Sequence, residues 1–355
     1  MDARKITVIG SGNVGCAISA DLTLAGHEVC LYEMPQFKES LVPILKHGGI
    51  ELLGVARTGF ASLSKITTEI EAAIRGAEVI MIATVALAHE TIAELCTPYL
   101  EDGQTIVLFP GNLGSLVFIK VLKEKAADKH IKIVEAVSAP YGCRRVAGQA
   151  EVNVRSFLKM NAAAFPAKDT NRAIDDLKDF YPDAFLPGRN VLEVSLSNPN
   201  ILLHVGPCIL NTGWIEATGG EFAFYRQGMS PSVLRIMEAM WRERNAIFEV
   251  LGLTDHYPFD AIKRMIADPQ VQLLQGPTDM RHRFITEDCP MGMVSTASLG
   301  DMIGVPTPIF KALITLASEI NGTDYFKEGR TMERLGISGL SRDELGKFLA
   351  EGHPQ

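Results

Sequence analysis

The chain of 355 residues carries a formal net charge of −8, and 47% of its residues are hydrophobic. This length is typical of two domains, and the acidic balance disfavours nucleic acid and anionic membrane surfaces as partners. No apolar run reaches the roughly 20 residues that span a bilayer, and the N-terminus lacks the pattern of a signal peptide. None of the six cysteines lies in a CxxC pair or at metal-ligand spacing. We therefore expect a cytoplasmic protein without a metal site.

Strands and helices alternate through the first half of the chain. KITVIG (5–10) is typical of a short strand, residues 13–25 are typical of a helix, and GHEVCLYE (26–33) is typical of a second strand. Three later apolar runs have the length of buried parallel strands. They are AEVIMIAT (77–84), QTIVLFPG (104–111) and HIKIVEAVSAP (130–140). The alternation predicts an α/β fold with a doubly wound parallel sheet of the Rossmann type.

The pattern changes after about residue 190, where strand-like runs largely disappear. A long helix is predicted for SPSVLRIMEAMWRERNAIFEVLG, with Ser230 at the N-cap, Pro231 in the first turn and Gly252 near the C-cap. We place the domain boundary within FLPGRN (185–190). The sequence thus predicts a Rossmann domain over residues 1–188, followed by an all-helical domain over residues 189–355.

The first predicted strand runs into VIGSGNVG, which matches the GxGxxG pattern of dinucleotide-binding loops. Gly10 permits the tight turn, Gly12 lets the backbone approach a pyrophosphate, and Gly15 lets the helix pack closely on the strand. Asn13 and Val14 form the start of the predicted helix. The unpaired N–H groups and the partial positive charge there favour phosphate binding. The strand–loop–helix context predicts a dinucleotide site.

Glu33 ends the second strand, near the position where an acid accepts the ribose hydroxyls of the adenosine. Because its carboxylate would repel a 2′-phosphate, we expect NAD in preference to NADP, although NADP stays open. Ligands of open α/β sheets bind outside the carboxyl ends of the strands. The candidates to flank the nicotinamide are therefore Thr84, Val85, Pro110, Gly111 and Asn112, each of which could instead form an ordinary turn.

A nicotinamide enzyme needs a cation that binds a substrate carboxylate and a group that carries a proton. One histidine of eight, His204, lies in a strongly apolar segment, NPNILLHVGP. A second polar cluster, MRHRFITEDCPMG, contains Arg283 and Asp288, and an Asp on the second ring nitrogen would orient a catalytic His. From the residues alone, His204 is either a proton carrier or a core histidine, and the second cluster is either a site or a solvated loop.

Together these motifs resemble the opine dehydrogenase family, which includes octopine, nopaline and N-(1-carboxyethyl)-amino-acid dehydrogenases. The similarity covers most of the chain and rests on VIGSGNVG, PYGCR, NPNILLHVGP and RFITEDCPMGMVSTASLGDMIGVPTP. It implies a Rossmann domain followed by a helical domain. It also implies reductive condensation of a 2-oxo acid, commonly pyruvate, with the amino group of an L-amino acid, using NAD(P)H.

The resemblance also implies roles for particular residues. In the family a His–Asp pair at the domain cleft handles protons, and it falls on His204 and Asp288. The substrate carboxylate would bind Arg283, with Arg144 as the rival cation. Weaker candidates for the substrate pocket are Asn198 and Tyr141.

The sequence leaves alternatives for the amino-acid partner and for the class of reaction. The amino-acid partner would be selected in part by GWIEATGGEFAFYRQGMS, in which Glu221, Tyr225 and Arg226 could contact it. A 2-hydroxy-acid or ketopantoate-type reductase and a non-catalytic NADH-binding protein are the alternative functions. By analogy with the family, we expect a homodimer.

Overall fold

The computed structural model describes residues 2–352, and these form two compact units. The first unit runs through Ser195 and also includes the described residues from Lys347 onward, whereas the second covers Leu196–Gly346. None of the helices within residues 2–352 is long and apolar enough to cross a membrane. The boundary proposed after residue 188 stays a prediction.

The strands belong to the first unit. In chain order they are β1 (Lys5–Ile9), β2 (Glu28–Tyr32), β3 (Ile50–Gly54), β4 (Gly59–Ala61), β5 (Lys65–Thr67), β6 (Val79–Ile82), β7 (Thr105–Leu108), β8 (Lys132–Ala136), β9 (Tyr141–Arg145), β10 (Glu151–Phe157), β11 (Met160–Phe165) and β12 (Phe185–Pro187). The larger sheet has the order β12-β11-β8-β7-β6-β1-β2-β5. All of its neighbouring strands are parallel except β8 and β11. The predicted doubly wound sheet is confirmed.

Burial explains why the central strands are almost entirely apolar. Every residue of β6 and β7 is buried, because helices cover both faces of a parallel sheet. The helices of this unit are α1 (Asn13–Leu24), α2 (Val42–His47), α3 (Ile70–Ile74), α4 (His89–Cys96), α5 (Gly114–Glu124), α6 (Thr170–Leu177) and most of α7 (Val191–Leu196). The glycine loop between β1 and α1 follows the carboxyl end of β1 and so lies at the carboxyl edge of the sheet.

A second, smaller sheet was not predicted. Its order is β4-β3-β10-β9, and it mixes antiparallel pairs with the parallel pair β3–β10. YGCRR (141–145), for which we predicted no strand, is strand β9. In β9 Tyr141 and Cys143 are buried, whereas Arg144 between the alternating positions is exposed. This strand escaped prediction, because a short polar edge strand has no strong apolar pattern.

Residues 196–346 contain helices and a single isolated bridge between Ala223 and Gln275, which confirms the helical second domain. The helices beyond α7 are α8 (Asn200–Leu203), α9 (Val205–Leu210), α10 (Thr212–Thr218), α11 (Phe224–Gln227), α12 (Pro231–Leu251), α13 (Phe259–Ala267), α14 (Arg283–Thr286), α15 (Val294–Ile303), α16 (Pro308–Asn321), α17 (Tyr325–Glu328) and α18 (Arg342–Glu351). Helix α12 begins after Ser230, whose hydroxyl accepts a hydrogen bond from the N–H of Val233, and ends at the left-handed Gly252. Its core side chains include Met237, Met240 and Phe248.

Candidate active site

His204 occupies a break between two short helices. Helix α8 ends before it and α9 begins after it, and its backbone dihedrals (φ −108°, ψ −72°) depart from the helical values. Asn198 starts this segment and accepts a hydrogen bond from the N–H of Asn200 at 3.0 Å. Pro207 follows closely and offers no N–H to continue the first helix. The break thus places the His204 side chain among the apolar residues of α8 and α9.

The imidazole of His204 contacts the carboxylate of Asp288. Nδ1 and Oδ2 are 2.6 Å apart, and the two residues are only 5% and 6% exposed. Asp288 directly precedes a π-helical turn, Cys289–Met293, which sets it apart from the regular helix α15. An ionised carboxylate only accepts hydrogen bonds, so Nδ1 carries a proton and Nε2 is the ring atom left for other partners. Burial strengthens this contact, because it lowers the local dielectric.

Two aromatic side chains complete the surroundings of the ring. The hydroxyl of Tyr225 lies 3.2 Å from Nε2 of His204, and the ring of Phe284 stacks on the imidazole with centroids 3.6 Å apart. Burial raises the pKa of Tyr225, with smaller contributions from Cys208 and Asp288, so the phenol keeps its proton. Tyr225 can thus donate to a neutral imidazole or accept from a protonated one.

Arg283 places a cation beside Phe284, the residue that stacks on His204. It begins α14, where its guanidinium lies 5.8 Å from the ring centroid of Phe284. Its side chain is 58% exposed and forms a 3.6 Å ion pair with the buried carboxylate of Glu287. Solvent access leaves this guanidinium able to bind an incoming carboxylate in the bidentate geometry that arginine favours.

The glycine loop of the first unit has the close contacts that its motif predicts. Gly10 adopts φ +102°, and a Cβ on Gly15 would lie 1.7 Å from the carbonyl oxygen of Gly10. A Cβ on Gly12 would meet nothing within 4 Å, so this position opens outward. No side chain caps α1 at Gly12, which leaves the first N–H groups of the helix for a ligand. These features fit a dinucleotide pyrophosphate.

Glu33 is already engaged by the protein. It is 7% exposed, and its Oε2 accepts hydrogen bonds from the N–H and the hydroxyl of Ser11, both at 2.8 Å. Its Oε1 accepts the N–H of Met34 at 2.9 Å. The carboxylate therefore braces the glycine loop, and its proposed contact with the ribose stays a prediction.

The predicted nicotinamide-flanking residues lie on two loops at the same edge of the sheet. Thr84 neighbours the glycine loop, since a Cβ on Gly10 would lie 2.9 Å from its Cγ2, and Val85 beside it is 42% exposed. In the second loop a cis peptide bond precedes Pro110, and Asn112 adopts φ +46°. Their contacts with a cofactor stay predictions.

Glu135, which the sequence did not single out, organises the second loop. It is fully buried on β8 and accepts hydrogen bonds from the N–H groups of Leu113 and Ser115 at 2.9 and 2.8 Å. The hydroxyls of Ser115 and Ser195 also donate to it. Burial raises the pKa of Glu135, whereas these donors oppose the shift. Glu135 lies within the predicted strand run HIKIVEAVSAP and belongs to no motif. Its role therefore depends on contacts that only the folded chain provides.

The structure separates the two candidate residues of the PYGCRR run, Tyr141 and Arg144. The hydroxyl of Tyr141 donates to buried Asp21 at 2.6 Å, which ties β9 to α1. Arg144 is exposed, and its guanidinium donates to the carbonyl of Cys143. Arg145, which we did not predict, reaches the glycine loop. Had the run been interpreted as a strand, its two-residue period would have placed Arg145 on the same face as Tyr141.

The structure therefore brings together the candidate residues within each unit. His204, Asp288, Tyr225 and Arg283 form one group in the second unit. The glycine loop, Glu33 and Thr84 form another in the first. Within residues 2–352, no group of three or more His, Cys, Asp or Glu side chains could hold a metal ion.

Known proteins resemble this chain over nearly its whole length. Residues 187–321 match the family model described as NAD/NADP octopine/nopaline dehydrogenase, alpha-helical domain, and residues 5–138 match the N-terminus of NAD-dependent glycerol-3-phosphate dehydrogenase. The opine dehydrogenase of Arthrobacter sp. strain 1C is 32% identical, over 96% of this chain and 97% of its own.

Solved structures share the fold. An octopine dehydrogenase solved with NADH and pyruvate superposes with a TM-score of 0.80 at 20% identity, covering 99% of both chains. A ketopantoate reductase of the PanE/ApbA family from Ralstonia eutropha JMP134 superposes with a TM-score of 0.65 at 15% identity, covering 91% of this chain and 99% of its own. At these identities the structural similarity concerns the fold alone.

Proposed function

Because the chain belongs to the opine dehydrogenase family, we propose that it condenses a 2-oxo acid with the amino group of an amino acid and reduces the product. The protein is an NAD(P)-dependent oxidoreductase that acts on CH–NH bonds. Gly10, Gly12, Gly15 and the first turn of α1 would hold the dinucleotide, which supplies the hydride when it is bound. We propose pyruvate as the oxo acid, since the octopine dehydrogenase of the same fold was solved with it.

In this proposal His204 handles the proton and Asp288 orients it. With Nδ1 held by Asp288, protons enter and leave the ring through Nε2. Neutral His204 accepts the proton that the amine loses as it attacks the carbonyl carbon. The imidazolium, stabilised by Asp288, passes this proton to the former carbonyl oxygen, which becomes a hydroxyl group. The second N–H proton then follows the same route to this hydroxyl group, so that water leaves and a neutral imine forms. The buried setting favours such a pair, because an apolar wall excludes competing water.

Arg283 is the proposed anchor for the substrate carboxylate. Its helix α14 also carries Phe284, whose ring stacks on His204, so the cation and the ring that covers the imidazole lie on one short segment. A fixed carboxylate would set the orientation of the carbonyl, which is a large part of what a bisubstrate reaction requires. Arg144, the rival cation, lies on β9 of the first unit and donates to a backbone carbonyl.

The observation that carries this proposal is the 2.6 Å contact between two buried residues, His204 and Asp288, that are 84 positions apart. The test replaces His204 with Asn and follows NADH oxidation with pyruvate and the best amino acid of a panel. We expect kcat to fall by about 10²–10⁴-fold, which is typical for loss of a general acid–base. His130→Asn removes an exposed imidazole and is the matched control. Full turnover by His204→Asn would contradict the assignment.

A second candidate is a reductase of 2-oxo acids that needs no amine. The fold similarity to a ketopantoate reductase favours it, because this architecture also supports that chemistry. Rapid NADH oxidation by pyruvate alone would identify such an enzyme. A non-catalytic NADH-binding protein would bind NADH without turning over any pair of oxo acid and amine.

A further inference from the structure

Arg145 connects the smaller sheet to the glycine loop between β1 and α1. From β9 its Nη1 donates to the carbonyl of Ser11 at 2.9 Å, and its Nη2 donates to the carbonyl of Ser40 at 2.8 Å. Its backbone N–H donates to Oδ1 of Asn13 at 2.8 Å, and its Nε donates to the carbonyl of Gln149. One residue therefore holds the loop, the first residue of α1 and the segment after β2.

The contact with Ser11 orients the next peptide group. In a trans peptide the C=O and the following N–H point in opposite directions. Since the Ser11 carbonyl faces Arg145, the N–H of Gly12 faces away from it. From the other side, Glu33 holds the N–H and hydroxyl of Ser11. The peptide on each side of Ser11 is thus fixed, which predetermines where the loop presents its donors.

The contact with Asn13 has a related effect. An Asn near a helix start often folds its side chain onto free N–H groups of the first turn. Here its Oδ1 is held by β9 instead, and α1 has no side-chain cap at Gly12. Both Gly12 and Asn13 are exposed. The donors of the first turn therefore stay accessible to an anion.

We propose that Arg145 is a positioning residue for the dinucleotide pyrophosphate. It fixes the Ser11–Gly12 peptide and keeps the side chain of Asn13 off the start of α1. The backbone N–H groups of the loop and of the first turn are therefore aligned before the cofactor binds. This inference depends on the NAD(P) site alone and is independent of the roles proposed for His204 and Asp288. Its effect belongs to cofactor binding, since the guanidinium acts on the loop.

The test compares Arg145→Gln and Arg145→Lys with wild type. Titration of NADH fluorescence should give a roughly tenfold higher Kd for Arg145→Gln, as expected when a charge-assisted contact that aligns the loop is lost. Arg145→Lys should recover part of this affinity, because an ammonium replaces one contact but not the fork that reaches both carbonyls. ADP-ribose, which carries the pyrophosphate without the nicotinamide, should lose affinity in parallel. At saturating NADH, kcat should stay within about twofold of wild type while KM for NADH rises.

Arg155→Gln removes an exposed cation from β10 of the same sheet and is the control. Its Kd for NADH should match that of wild type. The melting temperature of each ligand-free variant separates loss of fold from loss of affinity, and Arg145→Lys carries the test if Arg145→Gln fails to fold. Unchanged affinity for NADH and ADP-ribose in the folded Arg145 variants would overturn the proposal, as would an equal loss in Arg155→Gln. Failure of the condensation reaction would leave this outcome unaffected.

Discussion

The ring of His204 is held on three sides by Asp288, Tyr225 and Phe284. Asp288 binds one nitrogen, Tyr225 contacts the other, and Phe284 covers a face. This arrangement restricts both the rotation of the ring and the tautomer it adopts. The apolar sequence around His204 is equally typical of a core histidine, so the contact with Asp288 is the structural observation that distinguishes the proton-handling role.

Replacement of Asp288 with Asn tests the orienting role directly. The amide has nearly the same shape but can donate to Nδ1, which would move the ring proton to Nε2. We expect kcat to fall by about 10²–10⁴-fold, with little change in the Kd for NADH. Asp301→Asn, which removes a carboxylate from an exposed ion pair with Lys311, is the control and should keep its activity. Equal rates for both variants would exclude a role for Asp288.

Replacement of Tyr225 with Phe removes the hydroxyl at Nε2 and retains the aromatic ring. Loss of one neutral hydrogen bond should lower kcat by up to about tenfold, a smaller effect than that of His204→Asn. Steady-state kinetics with the same pair of substrates measure the difference. A loss as large as that of His204→Asn would instead make the phenol a proton donor in its own right.

The GxGxxG motif contains two glycines with opposite surroundings, Gly12 before α1 and Gly15 within it. A Cβ on Gly15 would meet the Gly10 carbonyl at 1.7 Å, whereas a Cβ on Gly12 would meet nothing within 4 Å. Gly15→Ala should therefore destabilise the ligand-free protein by about 1–3 kcal/mol, since backbone must shift. Gly12→Ala should leave its melting temperature unchanged but weaken NADH binding, because the methyl group occupies space that the pyrophosphate needs.

Thermal unfolding and NADH titration of the two variants provide this comparison. Equal destabilisation of the ligand-free protein by Gly12→Ala and Gly15→Ala would contradict this difference in surroundings. Binding of NADH by Gly12→Ala with the affinity of wild type would contradict the role of Gly12 at the pyrophosphate.

Elements with strong local patterns were predictable, and those that depend on distant partners were not. The GxGxxG motif and the buried runs at 77–84 and 104–111 identified the core of the larger sheet. The smaller sheet pairs β3 with β10, about 100 positions later, and its strands are short and partly polar. Arg145 and Glu135 escaped detection for the same reason, since their partners come together only through tertiary folding.

At the scale of the whole molecule, the order of a Rossmann domain and a helical domain is confirmed. We did not predict that the C-terminal segment belongs to the first unit. The described residues from Lys347 onward do so, and Phe348 packs on Phe165 with ring centroids 5.0 Å apart. Helix α18, which contains this segment, has no motif that distinguishes it from a helix of the second unit. Its assignment follows from packing alone.

The homodimer and the cytoplasmic location expected from the sequence both stay predictions. Light scattering coupled to size-exclusion chromatography measures the mass of the assembly in solution. We expect twice the mass of one chain at micromolar concentration, independent of NADH. The mass of a single chain at every concentration would contradict the homodimer.

The identity of the product distinguishes condensation from direct reduction of the oxo acid. Wild-type protein is incubated with NADH, pyruvate and a panel of L-amino acids, and the products are identified by mass spectrometry. We expect a secondary amine that joins the carbon skeletons of pyruvate and one amino acid, formed only when both are present. Formation of lactate at the same rate with and without the amino acids would contradict this expectation.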